Sequence, residues 1–129
     1  MLTIVPAFAG VFAVFFVMLS LRVIKARRRH KVAIGAGQNA VVERAMRAHA
    51  NFAEYVPFSL LLLTFLELNG ANRPLLIGLG AALLVGRSVH AFGLSMENER
   101  FGYRVFGMAV TFTVILVAAL ANVAAAVTF

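Results

Sequence analysis

The chain has 129 residues, 62% of them hydrophobic and only 13% charged, with a mean hydropathy of +0.92. Soluble domains carry about 25% charged residues, so this composition excludes an ordinary water-soluble fold and points to an integral membrane protein. The absence of Cys rules out a disulfide framework and a cysteine nucleophile, and a net charge of +7 does not indicate nucleic acid, because six of the twelve Lys and Arg residues cluster between Arg22 and Lys31.

In chain order the apolar runs predict a single all-α transmembrane domain over residues 1–129, with four spans at about 4–24, 42–69, 75–95 and 103–129. Ile4 to Leu21 carries no charge and nearly suffices to cross a bilayer, which takes about 20 residues. It does not read as a signal peptide, since the basic cluster follows the apolar run instead of preceding it. KARRRHK and the Gly35 and Gly37 region then predict a loop. The second span starts polar, turns apolar after Tyr55, and contains Pro57, which predicts a kink. NGANRP, residues 69–74, predicts a tight turn with Pro74 at a helix start. The third span carries Gly78, Ala82 and Gly86 at intervals of four, a small-residue pattern that predicts close helix packing. MENERFGY links it to the fourth span, in which Asn122 is expected to make a packing hydrogen bond.

Lys and Arg are abundant in the first loop, while the second loop holds only Arg73, so positive-inside bias predicts cytoplasmic first and third loops. That topology gathers Arg47, Asn51 and Glu54 of the second span, Arg87 and His90 of the third, and Arg100 and Arg104 of the fourth at one membrane level. Arg47, Asn51 and Glu54 share a helical face, with Arg44 one turn earlier. Charged groups within a membrane cost roughly 2.5–3.5 kcal/mol each near a helix centre, so a stripe that keeps several of them is a candidate polar-ligand site. His30, His49 and His90 lack ligand spacing, and no metal site is expected. Arginine forks grip carboxylates, Glu54 can receive an ammonium group, and Asn51 can donate and accept. Glutathione satisfies this set, as do several other small anions. An internal ion-pair network that only fixes helix packing is the competing reading, and Arg104 can equally be an interfacial anchor.

The run ERAMRAHANFAEYVP, Glu43 to Pro57, together with the basic VIKARRR before it, resembles the signature of the MAPEG family, the membrane-associated proteins in eicosanoid and glutathione metabolism. The resemblance implies a homotrimer of four-helix subunits in a bacterial inner membrane, with glutathione as co-substrate bound between neighbours near the cytoplasmic surface. It implies glutathione contacts from Arg47, His49, Asn51, Glu54, Tyr55, Arg87 and His90, helped by Arg27 or Arg28. It further implies that Arg104, or alternatively Arg100, stabilises the thiolate. The expected activity is a detoxifying glutathione transferase or peroxidase acting on small hydrophobic electrophiles or lipid hydroperoxides. Leukotriene-type members carry tyrosines where this chain has His90 and Leu94, which argues against eicosanoid substrates. A non-catalytic lipid-binding or scaffold protein of the same fold is the rival function. A small four-span drug exporter is disfavoured, because Ile4 to Leu21 lacks the acidic residue that proton coupling needs.

Overall fold

Long uncharged runs have no way to satisfy their backbone in lipid except as helices, and the computed structural model, which describes residues 1–128, is built of four of them. They are α1 (Ile4–His30), α2 (Ala40–Leu68), α3 (Arg73–Ser95) and α4 (Phe101–Val127), and all four are long and apolar enough to cross a membrane. Phe129, at the end of the predicted fourth span, lies outside the described residues. Hydroxyls within the helices donate to the carbonyl one turn back, as Ser59 does to Tyr55 and Thr111 to Gly107, so they bring no unpaired donor into the bilayer.

The helix ends follow local chemistry. Asn39 caps α2 by accepting from the backbone N–H groups of Val41 and Val42, and Glu43 lies in the first turn where the helix dipole favours an anion. Asn72 accepts from Leu75 N at 2.9 Å and Pro74 occupies the first turn of α3. The basic run is not the loop that the sequence predicts: α1 continues to His30, and Arg27, Arg28, Arg29 and His30 form its last turn. The reason is that cations complement the negative end of the helix dipole. The chain then turns through Lys31, Gly35, Gln38 and Gly37, all at positive φ. A Cβ on Gly37 would come within 2.8 Å of Val32, so glycine is required there for space as well as conformation. α2 runs unbroken through Pro57.

Glu67 explains the one acid at the opposite end of the bundle. Its carboxylate accepts from the N–H groups of Thr3, Ile4 and Val5 at 2.7, 2.7 and 2.8 Å, capping α1 from the end of α2 where Thr3 makes no side-chain cap of its own. Asn122 donates to the carbonyls of Leu62 and Ala118, tying α4 to α2.

The core lies along the bundle axis, with Phe12, Leu63, Leu76, Leu83 and Val114 almost fully buried, while Val14, Leu61, Phe106 and Leu120 are exposed on the outside of the bundle. The closest helix approach joins α3 to α4. A Cβ added to Gly107 would meet Gly86 O and His90 Cβ at 2.6 Å, and one on Gly86 would meet Val110 at 2.9 Å. Of the predicted small-residue triplet, Gly86 makes this contact and Gly78 does not: Gly78 has nothing within 4 Å of a would-be Cβ, because it faces outward. The seam depends instead on Gly86 and Gly107.

Candidate functional site

At the basic end of the bundle the polar stripe of α2 faces inward across a narrow cleft. Arg47, Asn51 and Glu54 line it from α2, His90 and Leu94 from α3, and Arg104 from α4. The Gly107 contact presses the second turn of α4 against α3 and so sets Arg104, about one turn earlier, over the cleft. Two larger spaces adjoin. One, of about 290 Å³, is lined by Glu43, Arg44 and Glu99 together with Arg47 and Arg104. The other, of about 520 Å³, is walled by Phe101, Val105, Met108 and Phe112 and bordered by Asn51, His90 and Arg104. Arg104 therefore stands where a polar cleft meets an apolar one.

Beneath the cleft lies Arg87, 1% exposed. Its Nη2 donates to Asn51 Oδ1 and lies 3.2 Å from His90 Nδ1, and its Nη1 donates to Thr111 Oγ1 at 3.4 Å. An imidazole nitrogen that accepts from a guanidinium carries no proton, so His90 holds its proton on Nε2. Tyr55 packs its ring 6.0 Å from the Arg87 guanidinium and edge-on to Phe112. Among the described residues Arg87 has no carboxylate partner, and its Nε is buried without an acceptor. A guanidinium stays charged in any pocket, so the floor of this site is a cation balanced only by dipoles.

Glu99, in the loop between α3 and α4, escaped the sequence reading. Its side chain is 6% exposed and sits between two guanidiniums, 2.7 Å from Arg44 Nη1 and 3.1 Å from Arg104 Nη1. It links the start of α2 to the start of α4. The signal that could have found it is an excess of arginines at this level needing a counter-ion. The hydrogen bond from Arg44 holds the Glu99 carboxyl below its ordinary value of 4.5, helped by Arg104 and opposed by burial. A carboxyl with a depressed folded value stabilises the fold above its unfolded value and loses that contribution as pH falls through the folded one. The protection of amides in residues 96–100, taken relative to intrinsic exchange at each pH, should accordingly fall below about pH 4.5. Glu99→Gln should show the lower protection already at neutral pH; identical profiles would mean that the clasp does not order the loop.

The structure does not bring every predicted residue to this cleft. Arg27 turns back on its own helix end, donating to Gly35 O at 2.7 Å and to Met46 Sδ at 3.3 Å. Arg28 is exposed and lines none of these clefts. His49 lies 3.0 Å from Ser20 Oγ of α1 and stacks on Phe16, because two residues of helix turn it about 200° away from Arg47. Arg100 occupies the cap position before α4, exposed and outside these clefts, where no side-chain capping bond is made. The remaining set, Arg47, Asn51, Glu54, Tyr55, Arg87, His90 and Arg104, forms one connected neighbourhood.

Four helices long and apolar enough to cross a membrane, with most of their charged residues at one end, define a multi-pass integral membrane protein. A model of the MAPEG family matches residues 5–124, nearly the whole chain, and the protein belongs to that family. It is similar to the inner membrane protein YecN of Escherichia coli (strain K12), 33% identical over 115 residues that make up 89% of this chain and 86% of the relative. The protein of the same name from Escherichia coli O6:H1 (strain CFT073) matches to the same extent.

Proposed function

We propose that the cleft binds glutathione and that the protein is a glutathione-dependent transferase or peroxidase for hydrophobic electrophiles or lipid hydroperoxides. The observation that carries this reading is Arg87: a buried guanidinium without a counter-carboxylate among the described residues, lying under a cleft edged by Arg47 and Arg104, makes that cleft attractive to an anion. Glutathione carries carboxylates for the arginines and an ammonium for Glu54. Its thiol is a nucleophile once deprotonated, and Arg104 favours the thiolate by Coulomb attraction. The apolar space beside Arg104 would receive the second substrate from the lipid side. In the transferase reaction the thiolate sulfur bonds to the electrophilic carbon and the leaving group departs. In the peroxidase reaction two thiols are oxidised to the disulfide while the hydroperoxide is reduced to alcohol and water. Arg27 and His49 lie on a different side of the subunit from Arg47, which fits a homotrimer in which a neighbour completes the ligand shell.

The test is calorimetric titration of the detergent-purified protein with glutathione, followed by turnover of an aryl chloride. Arg47→Ala should weaken binding by about 2 kcal/mol, roughly thirtyfold, because a ligand carboxylate loses its partner. Arg104→Ala should leave affinity nearly unchanged and raise the pKa of the bound thiol, read from thiolate absorbance. An unchanged thiol pKa removes that role from Arg104, and no glutathione binding by the native protein ends the proposal. Binding without turnover selects the lipid-binding or scaffold alternative, which the ion pair of Glu99 with Arg104 favours, because it already neutralises the proposed thiolate stabiliser.

A further inference from the structure

A second cleft, of about 270 Å³, opens at the basic end of the bundle between the last turns of α1, the first turn of α2 and the end of α3. Arg22, Lys25 and Arg29 of α1 line it at intervals of three and four, so they stand on one helical face. Like charges at that spacing repel, and among the described residues none of the three has an ion-pair partner. Glu97 borders the cleft without pairing with them, and Arg44, the fourth cation at its edge, is engaged by Glu99. Three exposed cations, with no ion-pair partner among the described residues, surround a concave space with Ala26 and Ala45 in its wall; together they attract an anion, and the cleft has room for a small one.

The height of the cleft identifies the anion. Ile4 to Leu21 carries no charge, and Arg22 is the first charge met on leaving the apolar layer. From Arg22 to Arg29 the helix rises roughly 10 Å, enough to cross one headgroup layer of roughly 5–8 Å, half the difference between a bilayer of about 40–45 Å and its hydrocarbon core of about 30 Å. The stripe thus stands beside lipid phosphates, and basic pockets between transmembrane helices hold anionic head groups. We propose that the Arg22, Lys25 and Arg29 cleft binds the phosphate of an anionic phospholipid head group. The site is separate from the Arg47 and Arg104 cleft and does not depend on what that cleft binds; Arg44 alone borders both this cleft and the space around Glu99.

Native mass spectrometry of the full-length protein in detergent, titrated with phosphatidylglycerol, tests the site. The double variant Lys25→Gln, Arg29→Gln should lower lipid retention roughly thirtyfold, at about tenfold per 1.4 kcal/mol and about 1 kcal/mol per basic residue. The charge-matched variant Arg28→Gln, Lys31→Gln, whose side chains lie outside the cleft, should lower it far less. Equal losses in the two variants would reduce the effect to diffuse attraction and overturn the proposal, as would equal retention of phosphatidylcholine. With the native protein, inorganic phosphate should compete only at much higher concentration than the lipid. Phosphate binding as tightly as the lipid would overturn the lipid assignment and make the occupant a free phosphate. That competition needs no variant, so it stands even if a substitution impairs folding.

Discussion

Replacing Arg87 with Ala is expected to destabilise the bundle by about 3 kcal/mol and to abolish the proposed glutathione binding. Three effects act on stability, and they do not share a sign. The largest buried side chain leaves a cavity, at a cost of about 2–5 kcal/mol for large-to-small core changes. Asn51 and His90 lose a charged hydrogen-bond partner, at about 1–3 kcal/mol for a group left unsatisfied, although both border the cleft and water can reach them. Against these, removing a buried cation relieves several kcal/mol of desolvation. Packing and hydrogen bonding outweigh that relief for Ala. For Arg87→Met the volume is largely kept and the relief remains, so Met should recover most of the stability while glutathione affinity stays lost. Urea denaturation in detergent followed by circular dichroism, beside calorimetric titration of each variant, separates the two quantities. Recovery of binding in the Met variant would show that the charge of Arg87 is structural only and would remove the main support for an anion site.

The second large effect is expected at the seam between α3 and α4. Gly107→Ala places a methyl group 2.6 Å from both Gly86 O and His90 Cβ; the first is a backbone atom and the second is fixed to its own backbone, so neither can rotate away. Overpacking of this kind costs typically 1–3 kcal/mol, and the clash can be relieved only by parting the helices. The consequence for function is larger than for stability, because His90 itself is the obstructing side chain and Arg104 lies one turn from the substitution. A stability loss of about 2 kcal/mol, together with loss of the proposed conjugation activity, is expected. Gly102→Ala, with nothing within 4 Å of its would-be Cβ on the same helix, serves as the control and should change neither. Equal tolerance of both substitutions would mean that the seam is looser than its geometry implies.

The fate of the individual residues shows how far a linear chain reveals a membrane site. Helical periodicity alone groups Arg47, Asn51 and Glu54, and these three line one cleft, because positions three and four apart share a face whatever surrounds them. The same periodicity turns His49 away, toward Ser20 and Phe16, a signal present in its two-residue offset from Arg47. Arg27 is different: nothing in its spacing shows that its guanidinium closes its own helix end on Gly35 O. Glu99 is different again, since a loop acid separated from Arg44 by 55 positions declares no partner in sequence.

What the sequence by itself determined is the membrane class, the four apolar spans, the polar stripe of α2 and the family signature, all of which depend on composition or on neighbours within a few residues. What only the tertiary structure decided is the unpaired burial of Arg87, the clasp of Arg44 and Arg104 on Glu99, and the meeting of polar and apolar clefts at Arg104. The physical reason is that helix formation is local, whereas the approach of α4 to α3 is set by the contact of Gly86 with Gly107, and no local propensity encodes how closely two distant glycines allow their helices to pack.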